Sequence, residues 1–285
     1  MRLLDAARFF DRTEFVDAYS PTISLFKGQT SLYDDSLRDG TTVVRKIMSV
    51  APGVSLPARR CVKAHDEVFI VGGIHKDSFD GEVIREKYNL HRADGLGTLK
   101  TTDQALRNLA GTDLYASRLW VKDLKEMEIS SKLPSFLNIY VASSETVLAG
   151  GLILLSGRWH LVRNTFVSAA GFLVCESDEL PAGCLTTATY TSRAAGAYSP
   201  ATDTVGAAAP ASVAILAHRW QDDYEYVRLA ADDYEQGDIV AKVSSTQVTT
   251  ADAGDTFTLA SGIKYKVLAA ASDGAGAWEL HCRRD

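Results

Sequence analysis

The sequence predicts an all-β protein with one or two short helices, built as tandem small β-barrel or sandwich domains. Three observations carry this expectation. First, Gly237 to Arg284 holds four short runs in which apolar residues alternate with polar ones: 237–243, 253–259, 261–268 and 277–284. Gly, Asp, Ser and Thr separate them, the pattern of consecutive antiparallel strands joined by tight turns. Second, runs of the same kind fill residues 23–90 and 138–175. Third, two segments share a layout: Ala149-Gly150-Gly151, a strand, Ser156-Gly157, then Trp159; and Ala253-Gly254-Asp255, a strand, Ser261-Gly262, then Tyr265. The two Ser-Gly pairs stand 105 positions apart (262 less 157). Each segment runs on to a strand with a cysteine, Cys175 or Cys282, which suggests one duplicated module.

Taken in order, residues 1–20 mix Leu3, Leu4, Ala7, Phe9 and Phe10 with charges and read as an arm or a short amphipathic helix. Ile23 to Phe26 reads as a strand that ends at Gly28. Asp39-Gly40 is a turn signal ahead of a strand over 41–50, which Pro52-Gly53 breaks. Residues 59–63, 67–73 and 80–90 complete a first strand-rich unit. Thr102 to Gly111 reads as a short helix with a Thr or Asp N-cap and Gly111 as its C-cap. Residues 115–128 carry both strand and helix signals. Strands follow at 138–141, 151–155, 158–163 and 171–175. The Ala-, Thr- and Ser-rich stretch from Thr186 to Pro210 reads as an extended loop or linker. These features divide the chain into 1–97, a barrel-like domain with an arm; 98–185, a β-rich domain with the helix; and 186–285, the linker-like stretch and a C-terminal β domain.

The 285 residues carry a formal net charge of -6, with 46% hydrophobic and 23% charged residues. This is the composition of a globular chain, and its mild acidity argues against wrapping nucleic acid. Met1 to Asp5 does not open a secretory leader, and the apolar run from Val147 to Leu155 is too short to span a bilayer, so the expectation is a protein made in the cytoplasm with no membrane partner. The spacing of Cys175 and Cys184 allows a disulfide, but the cysteine-poor composition favours four reduced, buried thiols with Cys61 and Cys282.

The chemistry-bearing residues form no recognised constellation. Gly95-Leu96-Gly97 lacks the third glycine and the helix of a dinucleotide site, and Gly150-Gly151 precedes a strand without a phosphate-binding Lys. The pairs Asp222-Asp223 and Asp232-Asp233 are adjacent in sequence and point to opposite faces of a strand. His218, Asp238, His281 and Cys282 are read as core or surface residues, and Arg283-Arg284 as a surface ion-pairing tip. Trp120, Trp159, Trp220 and Trp278 read first as core anchors. The expectation is therefore a non-enzymatic protein with no catalytic residue, no cofactor and no metal.

The first unit resembles the small barrel of tailed-bacteriophage head–tail connector proteins of the stopper or head-completion class. Three stretches carry the resemblance: Ser36 to Gly40 running into 43–47, Glu67 to Gly73, and Asp77 to Tyr88. The C-terminal strand series is similar to domains of phage neck and tail-tube-associated proteins. The resemblance implies a virion structural protein that forms a homo-oligomeric ring in the neck, contacts portal or adaptor and tail proteins, and touches packaged DNA only passively. Such a protein docks by loops and open sheet edges. Met1 to Tyr19, Gly28 to Asp39 and Thr186 to Pro210 are the candidate contact segments. A capsid decoration or tail protein is the alternative within the same class. A carbohydrate-binding module, with exposed Trp159, Trp220 or Trp278 as stacking platforms, is the alternative outside it.

Overall fold

The computed structural model describes residues 13–34, 44–120, 137–193, 198–199, 204–205, 210–219, 238–274 and 276–285. The all-β expectation holds. The strands close into three six-stranded antiparallel barrels in series. Barrel 1 contains β1 (Thr13–Asp17), β2 (Ser24–Asp34), β3 (Val44–Val50), β4 (Cys61–Ala64), β5 (Glu67–Phe79) and β6 (Glu82–Arg92). Barrel 2 contains β7 (Gly95–Lys100), β8 (Thr112–Trp120), β9 (Leu137–Ala142), β10 (Leu152–Leu155), β11 (Arg158–Val167) and β12 (Phe172–Glu179). Barrel 3 contains β13 (Leu185–Thr191), β16 (Ala211–Arg219), β17 (Ile239–Ser244), β18 (Thr256–Leu259), β19 (Lys264–Ser272) and β20 (Ala277–Arg284). The short strands β14 (Tyr198–Ser199) and β15 (Thr204–Val205) pair with each other apart from the barrels.

With the strands of each barrel lettered a to f in chain order, all three have one topology, a-b-c-f-e-d and back to a. The equivalence extends to single residues. Strands d and e pair through Val62↔Phe69, Ile153↔His160 and Phe257↔Tyr265. Strand e meets f through Val71↔Leu90, Val162↔Ser177 and Val267↔Cys282, and the register slips just after each valine. The valine N–H donates at 2.8 Å to the carbonyl of the residue before strand d, which is Arg60, Gly151 or Asp255. The bulge bends strand e around the barrel, and the valine just before it stays in the core. The duplicated module read from the sequence is thus present three times. The two cysteines used to align it are not equivalent: Cys282 matches Ser177, two residues beyond Cys175.

Each barrel encloses its own core. Phe15, Met48, Val50, Val62, Phe69 and Leu90 fill barrel 1; Leu114, Ile139, Val141, Ile153 and Val162 fill barrel 2; Tyr190, Val213, Ile215, Phe257 and Leu280 fill barrel 3. Alternation along each strand sends these residues inward.

Several expectations are corrected. Gly28 lies inside β2 rather than at its end, and the position takes glycine because a Cβ there would sit 3.0 Å from the Ser49 carbonyl oxygen and 3.2 Å from the Phe15 ring. The helix α1 is one turn, Thr102–Leu106. Thr101 is its N-cap in a capping box with Gln104, and Arg107, not Gly111, ends it. Thr186 to Thr191 is not linker but the body of β13, with Ala188 and Tyr190 buried and Thr187 and Thr189 exposed. The boundary expected at 97/98 falls inside β7, and that at 185/186 falls within the first residues of β13. Because the barrels are closed, their walls offer no open edge for strand addition. Residues 1–12, Asp39-Gly40, Trp220 and both Asp-Asp pairs lie outside the described residues.

Candidate functional surface

The outer face of strands d and e is where the barrels meet. In barrel 1 this face presents Cys61, Val68 and Ile70, which pack against Tyr140, Ala142, Ala170 and Phe172 of barrel 2. In barrel 2 the equivalent positions are Leu152, Trp159 and Leu161, which pack against Leu185, Ala214, Leu216 and Ala277 of barrel 3 together with Leu106 of α1. Phe172 and Ala277 occupy the same position, the first of strand f, so the receiving side is shared too. A backbone bond is also repeated: Ala93 N–H donates to the Val68 carbonyl at 2.9 Å, and Leu180 N–H to the Trp159 carbonyl at 2.8 Å. The linkers between barrels are only residues 93–94 and 180–184. One packing operation therefore places barrel 2 on barrel 1 and barrel 3 on barrel 2.

In barrel 3 the same three positions are Thr256, Lys264 and Lys266, and both lysines are exposed. Lys264 pairs with Asp285 at 2.7 Å, and Lys266 lies in the field of the same carboxylate. The face that is apolar in barrels 1 and 2 is cationic here.

The second distinctive surface is the far end of the β5–β6 hairpin. Beyond the bulge at Gly72-Gly73, residues 74–79 pair only with β6, and residues 82–85 pair only with β5. They form a two-stranded ribbon, turned by Asp80 (φ 53) and Gly81 (φ 81), with open edges that the barrel walls lack. Its large apolar side chains face solvent: Phe79 is 73% exposed, Ile74 47% and Ile84 40%. The other face is charged. Asp77 binds Arg85 at 3.1 Å and Lys87 at 2.8 Å, and these cations hold its carboxyl below the usual carboxylate range. The corresponding end of β11 exposes Phe166 and Val167. These five residues make up most of the exposed large apolar side chains among the described residues.

The buried polar groups are structural. Asp238 is buried and takes both Nε and Nη2 of Arg283 at 3.1 Å, while Cys282 points into the core and His281 approaches Glu279 at 3.8 Å. His218 lies on β16 opposite Val240. Asp255 accepts bonds from Tyr190 Oη at 2.6 Å and from Asp252 N–H at 3.0 Å, which ties strand a to strand d. All four cysteines are free and buried. Trp159 belongs to the junction between barrels 2 and 3, and Trp278 packs on the barrel 3 core, its Nε1 donating to the Val248 carbonyl at 2.9 Å. Among the described residues no three His, Cys, Asp or Glu side chains gather as metal ligands.

One buried group breaks the pattern. His160 fills the position of Phe69 and Tyr265, and Ser177 that of Leu90 and Cys282, so the interior of barrel 2 is polar where its siblings are aromatic and apolar. Neither His160 nitrogen has a partner among the described residues, and burial pushes its pKa down to about 4. Nothing in the sequence marks this position, because only the superposed registers of the three barrels reveal which residues are equivalent. No family model, no curated protein and no solved structure matches this chain.

Proposed function

We propose that the protein is a non-enzymatic structural component of a tailed-phage particle, placed in the neck between portal and tail, where it works through its surfaces. The observation that supports this most is the β5–β6 ribbon, whose exposed Phe79, Ile74 and Ile84 and open edges lie outside any barrel core. A patch of this kind is suited to contact with another protein. The resemblance of residues 36–47, 67–73 and 77–88 to connector barrels supplies the location, and two of those three stretches include parts of this hairpin. The candidate contact segments thus shift: Gly28 to Asp34 is part of a barrel wall, and the ribbon takes its place.

Copy number tests the reading. Quantitative mass spectrometry of purified particles is expected to find about a dozen copies or fewer, as a single cyclic ring requires. Hundreds of copies would make the protein a decoration or tail component instead, and absence from the particle would overturn the reading altogether.

A further inference from the structure

We propose that copies of this chain pack head to tail, the β5–β6 ribbon of one copy seated on the outer β18–β19 face of the next. The inference rests on the reading that the protein assembles with itself, and it names the surfaces involved. Within the chain, the turn between strands e and f reaches back to the preceding barrel. In barrel 2 this turn places the Ala170 carbonyl 2.7 Å from Gly73 N, at the bulge of barrel 1. In barrel 3 it brings Gly276 against Asp103 of α1. Barrel 1 has the equivalent turn, Asp80-Gly81, carried further out by a longer stretch of strand beyond the bulge, and no barrel precedes it among the described residues. Barrel 3 has the same outer face, but no barrel follows it there. Among the described residues, the packing operation used twice inside the chain leaves one half unused on barrel 1 and one on barrel 3.

The two halves are complementary. Asp80 sits in the ribbon turn and Glu82 directly follows it, and both are exposed. The barrel 3 face offers Lys264 and Lys266, both exposed, Lys264 paired with the Asp285 side chain and Lys266 in its field. Phe79, next to the turn, supplies the apolar contact, and the exposed Ala269 that follows the β19 bulge leaves room for a ring. The chemistry also explains why this face differs from its equivalents. A contact that is permanent and intramolecular tolerates Leu and Ile, whereas a contact between separate copies keeps a soluble, charged face and uses charge to fix register. A head-to-tail interface is heterologous and closes into a ring when its rotation permits.

Charge reversal tests this on the full-length protein by sedimentation velocity and mass photometry at low and high salt. The ribbon variant is D80N with E82K, which keeps a residue suited to the turn; the face variant is K264E with K266E. Each alone is expected to lose at least about tenfold in self-association. Mixing the two is expected to restore assembly, because each then meets its complement on the other. A third variant, Phe79→Ser, is expected to weaken assembly without shifting thermal unfolding. Wild-type assembly that both charge variants leave unchanged, or a mixture that fails to recover, would overturn this interface while leaving self-assembly standing. A wild-type chain that stays monomeric, alone and with the other neck proteins, would overturn both.

Discussion

The two junctions between barrels carry out the same packing operation with different chemistry. Junction 1–2 brings backbone against backbone. A Cβ on Gly72 would meet the Ala170 carbonyl oxygen at 2.5 Å, and one on Gly171 (φ +80) would fall within the backbone of Gly73. Around this contact lies a polar and aromatic clamp. Arg59 stacks 3.9 Å from the Tyr19 ring centroid, binds Glu145 at 2.8 Å and reaches the Asp113 carbonyl, while Tyr115 N–H donates to Tyr19 Oη at 3.0 Å. Junction 2–3 relies on side chains instead: Leu106, Leu152, Leu161, Leu180 and Leu216 form a small core of their own, and α1 braces it through Asp103, which accepts from Ser244 Oγ. A backbone contact fixes position tightly but tolerates no added atom. A side-chain contact tolerates change in proportion to the volume altered.

That difference can be broken most forcefully at Gly171. Gly171→Val combines a branched side chain at positive φ with a steric clash, and is expected to cost about 4 kcal/mol. Hydrogen exchange should then rise in the barrel 1–barrel 2 contact while barrel 3 stays protected. Leu152→Ala at the other junction is expected to cost about 3 kcal/mol in chemical denaturation, through an unfilled cavity. Barrel 2 serves both junctions, and pH addresses it directly. His160 is buried neutral, with its pKa lowered from 6.5 to about 4. The stability this confers is complete above pH 6.5 and falls as the pH drops toward 4, because the unfolded chain takes up a proton that the folded one refuses. The loss should approach ~3 kcal/mol in acid titrations of unfolding, and His160→Phe should flatten the profile. Glu179, Arg118 and Arg158 are the charges nearest to the ring, and they stay in place in that variant. Arg59→Ala should loosen only the first junction, by about 1–2 kcal/mol. Thr101→Ala, which removes the cap of α1, should loosen only the second, by about 1 kcal/mol; hydrogen exchange of the two linkers tells these last variants apart.

Much of this architecture was legible in the sequence where turn chemistry and alternation coincide. The Ser156-Gly157 and Ser261-Gly262 turns and the alternating C-terminal runs pointed to strands that the structure contains. The third copy was hidden because barrel 1 makes its d–e turn with His65 (φ 54) and Asp66 in place of Ser-Gly, and fills its bulge with two glycines. β13 was hidden because it uses Ala188 among threonines, a composition shared with linkers. The junctions were hidden for a different reason. Leu152, Ile153, Leu154 and Leu155 look uniformly apolar, and only closure of the barrel decides that Ile153 points inward and Leu152 toward a neighbour. The ribbon could not be separated from the wall either, since the length of a hairpin beyond its barrel depends on where its other neighbour stops.

The four thiols have a practical consequence. Cys61 lies in the first junction, Cys175 in the core of barrel 2, Cys184 in the second junction and Cys282 in the core of barrel 3. Burial raises the pKa of each, to about 12 for Cys61 and Cys175, so in the intact protein none is an alkylation target. The chain therefore carries its own set of footprinting probes, one for each of four compartments. The order in which a maleimide reaches them under rising denaturant would record which seam opens first.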